Sequence, residues 1–294
     1  PMIFHRSFIS GAGLKSLPMC EYGGPLLSQN ADKHTSKLVV KKMLKLAHLL
    51  RAEYVEVRAP FDPRVIKALV RGGFRCFRIY TTFRINLSKG VEALWRSLNK
   101  KVRNAIRKAL KSGLEAVEAG GEACLRAFHH LSLLVNKRLG SPAYPLRFFE
   151  ILSSKMGRGA RFLLSLYDGR PIGAILLLRH RDTLYWRAGV MDDRFRRLNP
   201  TNLLLWRAIE LGVEEGLKEL DLGRTRKGTG IYLFKSRWGG REIHLKDYVF
   251  FLRKPRELPE PYQGWYVYAS KMWSLVPLEV NSKIGWRLLK WVGF

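Results

Sequence analysis

Between Leu220 and Gly240 the chain reads LDLGRTRKGTGIYLFKSRWGG, placing Arg224, Arg226, Lys227 and Lys235 in one short stretch. Leu220 to Leu222 has the apolar character of a strand end. Gly223 to Gly230 reads as a turn, and Gly230 to Trp238 as a two-turn helix stopping at Gly239-Gly240. Fixed positive charge at the end of a strand is where α/β sheets hold anionic ligands, and arginine suits bidentate phosphate contacts. A solvated turn would show the same composition. A second candidate is Tyr22-Gly23-Gly24-Pro25, which is either a substrate-lining loop or a sharp turn. No residue stands out as a general base: Asp192, Asp193 and Asp221 are available, but Asp221 falls inside a strand and reads as structural. His129 and His130 are adjacent on a helix and so cannot share a face to bind a metal.

These residues need a scaffold, and the sequence supplies it twice. Lys37 to Leu50 has helical periodicity and leads to the alternating strand Glu53 to Arg58. Asn202 to Glu215 leads in the same way to Leu217 to Gly223. Asp62-Pro63 is a helix start for a segment that stops at Gly72-Gly73 before a strand over Phe74 to Leu87; the helix with Phe234 and Lys235 stops at Gly239-Gly240 before a strand over Arg241 to Leu252. Val55 matches Leu220, Arg58 matches Arg224, Lys67 matches Lys235 and Gly72 matches Gly239, an order that argues for a duplicated domain. Between the copies, Val91 to Leu114 reads as one amphipathic helix. Arg96, Lys100, Arg103, Arg107 and Lys111 form its basic stripe, which is either a solvated face or a docking strip for phosphates. The second copy then has a strand at Leu114 to Glu118, helices at Glu122 to Leu139 and Leu146 to Met156, and antiparallel strands through Arg161 to Val190, with a hairpin turn at Asp168-Gly169.

Bulk properties narrow the partners. With 53 Lys and Arg against 24 Asp and Glu, the net charge of +29 points to an anionic partner (nucleic acid, an acidic membrane surface or a phosphorylated substrate), the alternative being simple solubility or a generally basic proteome. A hydrophobic fraction of 47% excludes a disordered chain. Cys20, Cys76 and Cys124 lack the spacing of a disulfide framework or zinc site. No apolar run reaches membrane-spanning length and no signal peptide opens the sequence, so the expected location is cytoplasmic, alone or at the inner face of the membrane. After Pro261, Trp265, Tyr266, Tyr268, Trp273, Trp286 and Trp291 alternate with Lys271, Lys283, Arg287 and Lys290. Such a tail either packs on the first domain or lies on a membrane surface.

The order of elements in the second copy is that of the GNAT acyltransferase fold. The chain resembles the FemAB-type branch of the GNAT superfamily, particularly the FemAB-related proteins of exopolysaccharide and exosortase-type systems. The resemblance rests on Leu17-Pro18 with Tyr22-Gly23-Gly24-Pro25, on Lys100, Arg103 and Ile106 to Ala109, on Asn199-Pro200 with Asn202, on Asp221 to Thr225, on Phe234-Lys235 with Trp238-Gly239, and on the tail around Trp273, Leu275 to Leu278 and Ile284-Gly285. It implies an α+β (mixed α/β) fold of tandem GNAT-like domains, each a mostly antiparallel mixed sheet flanked by helices. The expected domains are 1–113, truncated at its start relative to the family and ending in the basic helix, then 114–254, then a tail at 255–294.

The resemblance further implies an acyltransferase that moves an aminoacyl or acyl group onto an amine of a cell-envelope or polysaccharide precursor. Lys235 would stabilise the oxyanion of acyl transfer. Tyr22, Gly23, Gly24, Arg224, Thr225, Arg226, Phe234 and Trp238 would contact substrate, Lys100, Arg103, Arg107 and Lys111 would contact nucleic acid or phosphate, and no metal is expected. The donor is aminoacyl-tRNA or acyl-CoA, and the acceptor phosphorylated or lipid-linked. An acyl-CoA enzyme grips pyrophosphate with a glycine-rich turn before its long helix; here Arg196 to Asn202 contains no glycine and Pro200 lacks an N–H, which counts against CoA. Two alternatives remain: a CoA-dependent N-acetyltransferase, and a non-catalytic RNA-binding protein using the basic helix.

Overall fold

The computed structural model describes residues 1–7, 11–18, 20–253 and 264–292. The chain forms two compact units: Pro1–Thr81, His244–Val267 and Arg287–Phe294 make the first, Thr82–Ile243 and Tyr268–Trp286 the second. The chain enters unit two inside a strand, not after residue 113, so the basic segment expected to end the first domain belongs to the second unit. The expected boundary at 254/255 falls in 254–263, outside the described residues.

In unit one, β1 (Ile3–Ser7) pairs antiparallel with β2 (Gly11–Lys15), and β2 runs parallel to β3 (Tyr54–Val57). Helix α1 (Lys33–Leu49) opens on Asp32, whose carboxylate accepts from the Thr35 N–H at 2.7 Å. Helix α2 (Pro63–Arg71) opens on Asp62, which accepts from the Arg64 N–H at 2.8 Å, with Pro63 at the first helical position, as its sequence predicts. Val40, Met43 and Ala47 of α1 and Val65, Ala68 and Leu69 of α2 bury against Leu14, Val55 and Val57.

Strand β4 (Arg75–Asn86) leads into unit two. There the basic segment is two helices, α3 (Val91–Ser97) and α4 (Lys100–Lys111), where the sequence suggests one. The break lies at Leu98-Asn99: Leu98 is extended, and the Asn99 side chain accepts from the Lys101 N–H at 2.9 Å to start α4 afresh. An unbroken apolar stripe hides this break because Leu94, Leu98, Val102 and Ile106 all reach the same core. Next come β5 (Glu115–Ala119), α5 (Gly121–Leu139), α6 (Leu146–Met156), β6 (Ala160–Tyr167), β7 (Arg170–His180), β8 (Thr183–Met191), α7 (Pro200–Glu214) and β9 (Glu219–Asp221). Unit two's strand order is β4-β9-β8-β7-β6-β5, antiparallel except for the β8–β9 pair. The β6–β7 turn at Asp168-Gly169 has positive φ at both residues, as a tight hairpin requires.

Both faces of this sheet are covered. Leu163, Ile175 and Leu177 pack with Leu204, Ala208 and Ile209 of α7 and with Ile106 of α4. The alternate positions Phe162, Leu164, Ala174 and Leu176 pack with Phe128 of α5 and Phe149 of α6. The fold is thus mixed α/β, a mostly antiparallel mixed sheet between helices.

After β9 come α8 (Gly230–Ser236) and β10 (Arg241–Phe251), which returns to unit one and pairs antiparallel with β3. The duplication therefore shows itself as an exchange. The strand following the helix of the first copy, β4, pairs with β9 of the second; the strand following the helix of the second, β10, pairs with β3 of the first. Val55 lies opposite Phe250 as Leu220 lies opposite Ile85, and Glu56 opposite Val249 as Asp221 opposite Arg84. The pairing of Lys67 with Lys235 does not hold in the same way: Lys67 is exposed and Lys235 is buried.

The tail forms α9 (Trp265–Ser274) and α10 (Leu278–Val292). Of this tail, expected on the first domain or on a membrane surface, Tyr268–Trp286 belong to unit two and Arg287–Phe294 to unit one. The buried Asn281 side chain accepts from the Ala143 N–H at 3.1 Å, which ties α10 to the loop between α5 and α6. The side chains of Trp265, Tyr266, Lys290 and Trp291 lie outside the described ones. Among the described residues no helix is long and apolar enough to cross a membrane.

Candidate active site

Strands β8 and β9 pair at Thr183 with Glu219, Leu184 with Leu220 and Tyr185 with Asp221, and there β9 ends while β8 continues to Met191. The β7–β8 register slips between Leu176 and Leu177, opposite Ala188 and Trp186, so that Arg187 is an extra residue on β8. Such a bulge bends its strand and sharpens the twist. Past Tyr185, β8 has left its parallel neighbour, and a cavity of about 470 Å³ opens beside Trp186, Gly189, Val190 and Met191. Gly189 is required there: a Cβ would fall 2.7 Å from the Trp186 indole.

Three helices complete the wall. The start of α7 contributes Asn199 to Asn202, α8 contributes Gly230, Ile231 and Phe234, and the end of α5 contributes Val135 and Arg138, with Arg196 from the turn before α7. Asn199, the cap of α7, is left-handed at φ 61, a conformation that asparagine tolerates better than other non-glycine residues. It takes the part a glycine would play, which a search for glycine passes over. Pro200 has no N–H, and the N–H groups of Asn202 and Leu203 both donate to the Asn199 carbonyl at 3.1 and 3.3 Å. The helix start therefore offers a bound anion few backbone donors. Positive charge comes instead from Arg138 and Arg196, bridged by Asp193 at 2.9 and 2.8 Å.

Lys235 lies behind this wall. It is 6% exposed; its ammonium donates to the carbonyls of Gly223 at 3.0 Å and Arg224 at 3.2 Å and sits 5.2 Å over the Trp186 ring. The turn that it grips is itself anchored. Asp221, fully buried at the end of β9, accepts from the Gly223 N–H at 2.8 Å, the Thr82 hydroxyl at 2.5 Å and the Arg84 guanidinium at 3.0 Å. The structural role read for Asp221 thus has a concrete form. Its carboxylate fixes Gly223, and Gly223 with Arg224 fixes the ammonium beside Trp186.

The remaining predicted residues separate. Phe234 lines the cavity and meets Trp186 edge-on at 6.0 Å. Trp238 is 1% exposed in the core, in contact with Phe234 at 6.1 Å, so it supports the wall from behind. Thr225 is buried; the Arg226 carbonyl accepts from the Thr229 hydroxyl, whose oxygen in turn caps α8 at the Tyr232 N–H. Tyr22, Gly23 and Gly24 belong to unit one. The Tyr22 ring meets Phe61 at a tilt with centroids 4.9 Å apart, the Gly23 N–H donates to the Arg58 carbonyl, and a Cβ on Gly24 would fall 2.5 Å from the Pro60 backbone. Close approach of chains explains these glycines. On α4, Lys100 and Lys111 are exposed, whereas Arg103 donates to the Arg96 carbonyl at 2.9 Å across the helix break and Arg107 lies 5.5 Å over the Trp95 ring. Among the described residues no group of His, Cys, Asp and Glu is placed to hold a metal.

Of the residues singled out as substrate contacts or catalyst in the sequence, Phe234 lines the cavity and Lys235 lies behind it, while Trp186, Gly189, Met191, Val135 and Arg138 are passed over. Trp186, Gly189 and Met191 lie beside the cavity on a strand with a bulge next to a strand ending, neither of which has a residue signature, and Val135 and Arg138 reach it from the end of α5. The Asn199-Pro200 pair before a long apolar helix is the one local sign of the wall.

Comparison with known proteins bears on the fold. The sequence profile described as "Acetyltransferase (GNAT) domain" matches residues 96–236. No curated protein matches the chain in sequence. Among solved structures, FemX is 14% identical with a TM-score of 0.62, over 85% of this chain and 88% of that one. The C-terminal domain of a putative lysylphosphatidylglycerol synthetase from Agrobacterium fabrum is 11% identical with a TM-score of 0.60, over 84% and 83%. A tandem GNAT protein from the clavulanic acid biosynthesis pathway is 10% identical with a TM-score of 0.56, over 83% and 76%. At such identities the likeness is one of fold, and the fold is that of tandem GNAT proteins.

Proposed function

We propose that the protein is an acyltransferase of the FemAB type that moves an aminoacyl or acyl group onto an amine of a cell-envelope or polysaccharide precursor. The observation that carries this reading is the buried Lys235 ammonium over Trp186, directly behind the wall of a cavity that lies where β8 and β9 part. Attack of an amine on an ester or thioester carbonyl builds negative charge on the carbonyl oxygen, and a fixed cation in a poorly hydrated site lowers that barrier. The cavity volume is in the range of small-ligand sites and suits the acyl end of a donor.

Aminoacyl-tRNA is the donor we favour. The sparse backbone donors at the start of α7 support this choice over a pyrophosphate grip on CoA. The exposed Lys100 and Lys111 of α4 and the net charge of +29 suit a polyanion. The fold resemblance to FemX and to the putative lysylphosphatidylglycerol synthetase domain is consistent with an aminoacyl donor and an envelope acceptor.

The test is transfer from aminoacyl-tRNA and from acetyl-CoA to amine acceptors, with Lys235→Met as the comparison. We expect transfer from the tRNA donor and a loss of about a hundredfold or more in kcat for the variant. Transfer by Lys235→Met at the parental rate overturns the role of Lys235. Transfer from acetyl-CoA alone makes the protein a CoA-dependent N-acetyltransferase. Salt-sensitive RNA binding with no transfer from either donor makes it a binding protein.

A further inference from the structure

Helices α9 and α10 expose more apolar surface than a solvated hairpin needs. On α9 and its end, Tyr268, Met272 and Leu275 are 72, 69 and 75% exposed and recur at the spacing of one helix face. On α10, Val280 and Ile284 form a second exposed pair, and Trp286, also exposed, donates to the Lys283 carbonyl at 3.1 Å. Lys271 and Lys283 stand exposed among these apolar side chains. Over Tyr268–Trp286 the opposite side of the hairpin is anchored on unit two. Asn281 is fully buried on the Ala143 N–H, Gly285 fits where a Cβ would meet Asn281 and the Ala143 backbone, and Gly140 lies against the Ser270 carbonyl.

We propose that the outer face of α9 and α10 docks on the surface of an anionic phospholipid bilayer, with Tyr268, Met272 and Leu275 entering the headgroup boundary and Lys271 and Lys283 meeting lipid phosphates. Charge selects this occupant. A face carrying lysines among apolar side chains, on a chain of net charge +29, is repelled by a second copy of itself and attracted by an acidic interface. The anchoring of the opposite side fixes the orientation of the hairpin, so the ordering cost of a free amphipathic peptide is already met. The loop that holds the hairpin follows α5, whose Val135 and Arg138 line the cavity. A docked hairpin would therefore bring the cavity of unit two near the interface, and the amine acceptor would be membrane-borne. This last step rests on the function proposed above; the docking itself does not.

The experiment is flotation of the full chain with vesicles of phosphatidylcholine alone and with phosphatidylglycerol added, at low and physiological salt. Comparison is with Met272→Ser/Leu275→Ser, which leaves charge unchanged, and with Lys271→Gln/Lys283→Gln. We expect flotation with the anionic vesicles only, about tenfold weaker partitioning for each apolar side chain removed, and weaker, less salt-dependent partitioning for the lysine variant. Circular dichroism and size-exclusion chromatography report folding and oligomeric state for each variant. Undiminished flotation of folded Met272→Ser/Leu275→Ser overturns the proposal, because binding would then be charge alone. Equal flotation with neutral vesicles overturns the anionic commitment. Absence of flotation, together with a dimer that the serine variant dissociates, assigns the face to a second copy. A protein that floats but transfers no acyl group keeps the docking and refutes the transferase reading.

Discussion

Lys235 and Asp221 act as one structure, although a single reading of their neighbourhood separates them into a candidate catalyst and a strand residue. Lys235 is held by the carbonyls of Gly223 and Arg224, and Gly223 is held by Asp221. A Lys235→Met variant therefore loses more than a charge. Two carbonyls lose a donor, and we expect about 1–3 kcal/mol of destabilisation beside the loss of turnover, measurable by urea unfolding. The Asp221→Asn variant tests the other end. Arg84 loses its buried charge partner but keeps Glu219 at 3.3 Å, and we expect about 1–3 kcal/mol of lost stability. At temperatures where the variant is still folded, KM should change little and kcat should fall, since the substituted group touches the turn and not the substrate. An unchanged kcat in folded Asp221→Asn would show that Lys235 holds its place without the anchored turn.

At the scale of elements, Gly140 makes a sharp test of how the hairpin is seated. It ends α5 at φ 60, and a Cβ there would overlap the Ser270 carbonyl. Gly140→Ala should therefore push α9 outward. Amide exchange over Tyr268–Ser274 should accelerate while β6 and β7 keep their protection, and equal exchange in both would place the strain elsewhere. Much of the scaffold is legible in the sequence, because caps, turns and periodicity are local: Asp62-Pro63, Asp168-Gly169 and Gly239-Gly240 each mark their boundary. The α3–α4 break is not, since Leu98 continues the apolar stripe while its backbone leaves the helix. Nor is the cavity, whose opening depends on a one-residue slip between β7 and β8. The paired lysines of the two copies mislead for a related reason: spacing along the chain does not say which face of a short helix is covered, and Val65, not Lys67, is buried on α2.

Considered as a whole molecule, the chain carries its charge into the interior of unit one. The His5 imidazole is pushed down to about 4, chiefly by burial and then by Lys15, and the Tyr54 hydroxyl lies 3.1 Å from its Nε2. Lys15 is pushed down to about 8 by burial, against the pull of Glu56. Between pH 6.5 and about 4 the unfolded chain binds a proton at His5 that the folded chain refuses, so stability falls on acidification across this window. Lys15 adds a rise in stability from about pH 8 toward its unfolded value of 10.5, since there only the unfolded chain stays protonated. His5→Gln should flatten the first slope and leave the second, as read from the urea midpoint against pH; an unaltered acid limb would assign that limb to the carboxylates. The exchange of β4 and β10 has a further bearing, on how the chain is made. A ribosome releases β3 with one edge bare, and the strand that will cover it is synthesised only after the whole of β5 to α8 has emerged. Through that interval the nascent first half presents an unpaired strand edge, open to pairing with a neighbouring chain. Vectorial folding of this protein thus runs backwards in one respect: the part made first is the part finished last.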